Sequence, residues 1–389
     1  MRSRVLLTVP VLFLACVSLA GQAAAAPSSQ GATHRNVHVC AAAAAGSAGC
    51  DAIRHDKVDS HGKVVPNATP SGYGPSAIRS AYALGSSGSG GKTVAIVDAY
   101  DDPNAAADLT TYRSQYGLPA CTTSNGCFRK VNQNGGTSYP RANGGWAQEI
   151  SLDLDMVSAA CPDCKILLVE ATTASFANLG TAVNTAARLG ATAISNSYGG
   201  GDSTGTSAYD HPGIAITAST GDSGYGVQSP ASFKTVVAVG GTSLKKASNA
   251  RGWTESAWSG AGSGCSTLNL KPTWQTSSTA CGGRASADVS AVADPNTGVA
   301  VYDSYAYQGA KGWMVFGGTS ASSPIVASVY AMSGNTAGYP ASYTWGHASA
   351  LNDVTSGSNG TCSPKVWCTA VTGWDGPTGL GTPKGTGAF

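Results

Sequence analysis

Short, continuous apolar runs recur along this chain with helical patterns between them. "KTVAIVDAY" (92–100), "KILLVEA" (165–171), "ATAISNSYG" (191–199), "GIAITAST" (213–220) and "TVVAVGGT" (235–242) do not alternate apolar with polar. That is the signature of strands buried on both faces of a parallel sheet. "NAAADLTTYRSQY" follows the first run and "SFANLGTAVNTAARLG" the second, both at helical spacing. The alternation predicts an α/β fold, a mostly parallel sheet flanked by helices on both faces. In such sheets sites form beyond the carboxyl ends of the strands, which draws the eye to the loops after Asp98, Tyr198 and Thr220.

The pattern starts only near "SAIRSAYAL" (76–84). Residues 27–73 are polar, rich in Ala, Gly and Ser, and without sustained periodicity, so a leader or short propeptide of weak structure is expected there. Residues 1–26 carry Arg2 and Arg4, the apolar run "VLLTVPVLFLACVSLA" and the small-residue stretch "GQAAAAP". They read as a signal peptide cleaved near Ala26, too short for a membrane span, and they imply a secreted, extracellular protein. Cys16 in "LAC" faintly resembles a lipidation site, but the apolar stretch runs on past it. Residues 74–389 are then one domain.

Removing the signal leaves ten cysteines in close pairs: Cys40/Cys50, Cys121/Cys127, Cys161/Cys164, Cys265/Cys281 and Cys362/Cys368. An even count in a secreted chain suggests five local disulfides. "CPDC" (161–164) could otherwise be a redox pair or half a zinc site, but no second pair or histidine cluster stands near it. Without Arg2 and Arg4 the chain has 21 basic and 21 acidic residues. That balance points away from nucleic acid and from an anionic membrane; a monomer acting on peptides is expected.

"FGGTSASSP" (316–324) has the form of a tight glycine turn opening a helix, with Ser320 at the helix start. A serine hydroxyl needs a base to become a nucleophile. Of the six histidines, His34, His38, His55 and His61 precede the domain, and His211 and His347 stand in no catalytic context. The base is therefore sought among carboxylates. "GGWAQEISLDLDMVSAACPDC" (144–164) is long enough for a helix of three turns. On it Ile150, Leu154 and Val157 form an apolar stripe, and Ser151, Asp155 and Ser158 a polar one expected to face water. Glu149 and Asp153 share the remaining face with Met156 and Ala160. Two carboxylates four residues apart on an apolar face are costly unless they share a proton, which yields a base and an acid of different strength. Two solvated surface acids would be the ordinary reading of E-x-x-x-D taken alone. In "ITASTGDSGYG" (216–226) a strand ends in a turn that would aim Asp222 at the same region. Protonated, Asp222 could donate to an oxyanion; otherwise it is an Asx-turn residue.

Taken together, "EISLD", "STGDSG" and "GGTSASSP", with "TVAIVDAYDDPN" and "NDVTSG…TGWDGPTGLG", resemble the sedolisin family, the serine-carboxyl peptidases, over roughly residues 74–389. The resemblance implies a subtilisin-like fold and cleavage of peptides at acid pH through a Ser320 acyl-enzyme. It makes Glu149 the general base, Asp153 its orienting partner, and Asp222 with the Ser320 N–H the oxyanion hole. It also implies a structural calcium ion held by the carboxylates of Asp353 and Asp375 and the carbonyls of Val354, Val371 and Gly373. That hard oxygen set is what Ca²⁺ prefers. Unlike family members with a long folded propeptide, this chain has only about fifty residues between signal and domain. The extra hydroxyls Ser322 and Ser323 are expected to be polar groups of the first helical turn. Two other readings remain: a subtilase-like peptidase built on Asp98, which lacks a suitable histidine, and a catalytically silent secreted binding protein on the same scaffold.

Overall fold

The computed structural model describes residues 33–85, 91–335 and 337–389. The expected signal peptide, residues 1–26, lies outside the described residues.

The central sheet contains β4 (Thr93–Ala99), β5 (Phe128–Asn132), β6 (Lys165–Ala171), β7 (Ala193–Asn196), β9 (Ala215–Ser219), β11 (Val237–Lys246) and β12 (Trp253–Ala257). Their order is β12-β11-β9-β7-β4-β6-β5, and β15 (Val289–Val292) also pairs with β11. Every pairing is parallel except β11 with β12. Each apolar run of the sequence is thus a strand, and Val94, Ile96, Leu168, Ile194, Ala218 and Val239 are fully buried. Helices α2 (Ala105–Gln115), α3 (Gly144–Ala160), α4 (Phe176–Arg188) and α5 (Thr319–Ser333) cover the sheet.

The cysteines pair as expected: Cys40–Cys50, Cys121–Cys127, Cys161–Cys164, Cys265–Cys281 and Cys362–Cys368. Among the described residues no helix is long and apolar enough to cross a membrane.

Two expectations need correction. Residues 33–73 are not weakly structured. β1 (Thr33–His38) and β3 (Ile53–Val58) form an antiparallel hairpin that joins β17 (Ala310–Gly317) and β16 (Val299–Tyr307) in the order β1-β3-β17-β16. The hairpin is held to the domain by β3 on β17, at Arg54↔Phe316 and Ile53↔Gly317, a long-range pairing that leaves no local period in the segment. Secondly, α3 is seventeen residues long, and its polar stripe does not face water. β16, α2 and the loop before α2 cover it, and Ser151, Asp155 and Ser158 are buried. Asp155 accepts from Tyr302 N at 2.9 Å, Ser151 Oγ donates to Asp102 at 3.3 Å, and Ser158 Oγ accepts from Arg113 at 3.0 Å. Ser322 and Ser323 lie in the opening turns of α5, as expected, and bind it to the sheet. Ser322 Oγ reaches the carbonyls of Ala291 and Val292, both at 3.1 Å, and Ser323 Oγ lies 2.9 Å from both Ser195 Oγ and Thr217 Oγ1.

Candidate active site

Two helices and one strand end converge at the carboxyl edge of the sheet. Asn143, in extended conformation, caps α3 by accepting from Gly145 N at 3.1 Å and Trp146 N at 3.2 Å. This sets the helix phase that points Glu149 and Asp153 at α5. Gly318, with φ +93°, makes the turn from β17 into α5. A Cβ there would collide with Asp51 O and with Asp222 Oδ2. Glycine is needed on both counts, for the left-handed backbone and for the close approach.

Ser320 is the second residue of α5 and is fully buried. Its hydroxyl donates to Glu149 Oε2 at 2.9 Å, with Ser197 O a second acceptor at 3.1 Å. No histidine takes part: His211 bonds Asn184, and His347 bonds the carbonyl of Tyr343 in its own helix. Glu149 Oε1 and Asp153 Oδ2 have no other partner, and the two carboxyl groups share a hydrogen bond. Asp153 Oδ1 accepts from Ser197 Oγ at 2.8 Å. Ser197 Oγ also lies 3.3 Å from Ser320 O. Pro324 has no N–H to give that carbonyl, so the serine completes a helix the proline leaves open.

Burial raises Glu149 well above the ordinary carboxylate range, Asp153 and Asp98 add to it, and the Ser320 bond pulls it back. Burial and then Asp98 raise Asp153 likewise, against the Ser197 and Glu149 hydrogen bonds. Asp98 is a third member of the cluster. It ends β4, is raised well above its usual range by burial, and has no hydrogen-bond partner on either oxygen. No basic side chain contributes to any of the three, so they cannot all ionise. Nothing donates to a charge on Asp98, whereas Glu149 accepts from Ser320 and Asp153 from Ser197.

Asp222 follows β9. Its Oδ1 accepts from Thr319 N at 2.7 Å and Thr319 Oγ1 at 2.9 Å, while Oδ2 is buried without a partner. Burial raises it well above its usual range, Asp51 adds to this, and the Thr319 bonds oppose it. A protonated Oδ2 is a donor aimed at the face of Gly318.

That face is occupied. Asp51 O accepts from Ser320 N at 3.1 Å. The residues before it, β2 (Gly49–Cys50), pair antiparallel with β8 (Tyr198–Gly201), which itself pairs with β10 (Gln228–Ser229). Asp51 N donates to Ser197 O at 3.2 Å. Residues 197–201 therefore line the cleft, and the chain's own residues 49–51 lie on them as an added strand. A cavity of about 540 Å³ beside them is lined by His38 and residues 40–43, by Gly199–Gly201 and by Thr220–Gln228.

Of the residues that the sequence points to, Ser320, Glu149 and Asp153 cluster together, and Asp222 lies beside them on Thr319, the residue before Ser320. The sequence reading missed Ser197, Thr319 and Asp51, and weighed Asp98 only for another mechanism. A serine at a strand end and an aspartate in an aperiodic leader carry no signal in one sequence. Asp98 did: an acid closing an apolar strand is already marked as unusual.

The remaining predicted residues lie apart, in the C-terminal loops. Asp375 is buried; Oδ1 accepts from Thr378 N and Oγ1, both at 2.9 Å, and Oδ2 from Val371 N at 3.2 Å. Asp353 Oδ2 accepts from Gly373 N at 3.0 Å. Burial pushes Asp375 up to about 7, Asp353 adds to this, and none of the groups acting on it is a cation.

A subtilisin-like α/β scaffold places a helix-start serine against a helix carboxylate, with Asp222 bonded to the residue before that serine. The subtilase family model matches residues 130–360, and the chain belongs to that family, on its sedolisin side. It is 29% identical over 366 residues to kumamolisin from Bacillus sp. strain MN-32, covering 82% of this chain and 63% of that protein. It is 34% identical over 177 residues to sedolisin from Pseudomonas sp. strain 101, covering 41% and 29%. The solved structure of Pseudomonas sedolisin, a serine-carboxyl proteinase complexed with pseudo-iodotyrostatin, matches with a TM-score of 0.67 at 26% identity, over 81% of this chain and 96% of that one. The chain thus spans less than two thirds of the length of the curated relatives named here.

Proposed function

We propose that this chain is a secreted serine-carboxyl peptidase that cleaves peptide bonds at acid pH. The observation that carries the reading is the Ser320 hydroxyl donating to Glu149 Oε2 at 2.9 Å, with Asp153 bonded behind it. Ser320 Oγ attacks the peptide carbonyl while Glu149 takes its proton. The negative charge that forms on the carbonyl oxygen is met by Ser320 N–H at the positive end of α5 and by protonated Asp222. Glu149 returns the proton to the departing amine, the C–N bond breaks, and water, with Glu149 again as base, hydrolyses the acyl-enzyme. Asp153, held by Ser197, fixes the Glu149 carboxyl and shares its proton.

Activity requires an ionised Glu149 beside a neutral Asp222. The rate fails at low pH when the Glu149–Asp153–Asp98 cluster takes up its last proton, and at high pH when Asp222 loses its own.

The C-terminal loops suit a cation, since a buried Asp375 beside Asp353 lacks any positive neighbour among the groups acting on it. Asp353 and Asp375, with the carbonyls of Val354, Val371 and Gly373, would hold one Ca²⁺. The ion would tie these loops together and takes no part in catalysis. Secretion is supported by the N-terminal sequence and by five disulfides, which persist in oxidising compartments. Residues 27–73 act as the propeptide of residues 74–389, which work as a monomer. Incubating the purified chain with a peptide library at acid pH, beside Ser320→Ala, tests the reading. Fragments should arise only with the wild type, and their absence would remove the peptidase assignment.

A further inference from the structure

The chain carries, in its own cleft, a peptide placed as a substrate would be. Asp51 O meets the Ser320 N–H on the face of Gly318 shared with Asp222, so the bond between Asp51 and Ala52 sits where a peptide bond would be cut. Residues before it add a strand to β8, and those after it enter β3, which pairs with β17. With the backbone in this position, the Asp51 side chain marks the pocket for the residue on the acyl side of the cleaved bond.

That pocket is built for a carboxyl group. Asp51 Oδ2 accepts from Ser219 Oγ at 2.7 Å and from Gln228 Nε2 at 2.5 Å. Gln228 is held in turn by Ser219 O at 3.3 Å and fits only because positions 199 and 221 are glycine, where a Cβ would strike its amide. The pocket offers two neutral donors and no lysine or arginine, which suits an acid that enters uncharged. Burial raises Asp51 itself to about 6, against the bonds from Ser219 and Gln228.

We propose that Ser219 and Gln228 form the specificity subsite of this enzyme, which selects an aspartyl residue on the acyl side of the cleaved bond, and that Asp51 is its resident occupant. The assignment rests on the peptidase reading but goes beyond it. A leucine in this pocket strands two buried donors, and a lysine adds an unmatched charge, so both are disfavoured. The hairpin β1–β3 pairs from Thr33↔Val58 to His38↔Ile53, and Cys40–Cys50 closes the loop between. The base of the loop thus holds its cleavage point in the site from both sides.

The test uses the full chain at acid pH. Peptides identical except for Asp, Leu or Lys on the acyl side are offered in trans. The same preference is read in cis by denaturing mass spectrometry of cleavage after residue 51 in wild type, Asp51→Leu and Asp51→Lys. The aspartyl bond should be favoured on the order of a hundredfold in whichever format reacts. Gln228→Leu, or Ser219→Ala should the first variant fold poorly, should reduce the Asp-to-Leu ratio at least tenfold. Equal cleavage of Asp and Leu bonds, or a ratio indifferent to both variants, would overturn the subsite while leaving the peptidase reading intact. Cleavage of nothing in either format would overturn both.

Discussion

Two groups of buried acids in this molecule are treated in opposite ways. Asp288 is fully buried and ion-paired to Arg284, also fully buried. It also accepts from Ala238 N and Trp345 Nε1, both at 2.8 Å. Its charge is matched, and its work is to lock β15 against its surroundings. Glu149, Asp153 and Asp98 are equally buried but have one another for neighbours and no cation. Placing three acids together without a counter-charge opposes stability, and folding tolerates it only by leaving protons on the cluster. The contrast separates scaffold from chemistry: a satisfied buried acid holds a fold, whereas an unsatisfied one holds a proton to move.

The comparison breaks first at the serine and its base. Ser320→Ala and Glu149→Gln should each lower kcat/KM about 10⁴-fold or more while the purified proteins keep their circular dichroism and melting temperature, because the two groups act as one proton-transfer unit. Asp288→Asn should do the reverse. Arg284 is left as an uncompensated buried charge, and the denaturant midpoint should fall by the equivalent of ~3 kcal/mol or more, with turnover per folded molecule little changed.

Asp222→Ala removes one oxyanion donor and should cost on the order of 3 kcal/mol of transition-state stabilisation, read as kcat/KM at the optimal pH. Asp222 is raised by burial, so the neutral form that donates persists well above the ordinary carboxylate range and is lost as pH climbs through the shifted value. Asp222→Asn supplies a donor that does not titrate. Its residual activity should fall less steeply than the wild type's on the alkaline side, and an unchanged alkaline limb would remove Asp222 from the oxyanion hole.

Asp153→Asn sharpens the contrast within the cluster. It should lower kcat roughly tenfold to a hundredfold, less than loss of Glu149, since Asp153 orients rather than accepts the proton. The smallest effect is expected from chelation. Excess EDTA, or Asp375→Ala, should lower the melting temperature by several degrees and leave the pH profile unchanged, because the proposed ion ties loops remote from Ser320. A melting temperature indifferent to both would remove the calcium.

The chemistry was legible wherever a residue stood in a motif of its own element. Ser320 behind two glycines, Glu149 and Asp153 on one helical face, and Asp222 at a strand end all follow from local spacing. The polar stripe of α3 misled because helical periodicity shows which residues share a face, not what covers it. Here one covering element, β16, begins at residue 299, far along the chain from α3. The leader misled for the same reason in reverse. Its strands β1 and β3 pair with each other, and only the edge of β3 on β17 and β2 on β8 tie them to the domain, contacts that leave no period in the segment itself.

By itself, then, the order of residues marked five apolar strands of the central sheet, the helix starts around Glu149 and Ser320, the close pairing of the cysteines and four candidate side chains, since each depends on neighbours within a few turns or a strand's length. Only the tertiary structure decided that Asp98 joins Glu149 and Asp153, that Ser197 bridges Asp153 and α5, and that Asp51 fills the cleft in front of Ser320. Those are contacts between residues roughly fifty to nearly three hundred positions apart, and their energies come from burial and hydrogen bonds that exist only once the sheet has brought the segments together.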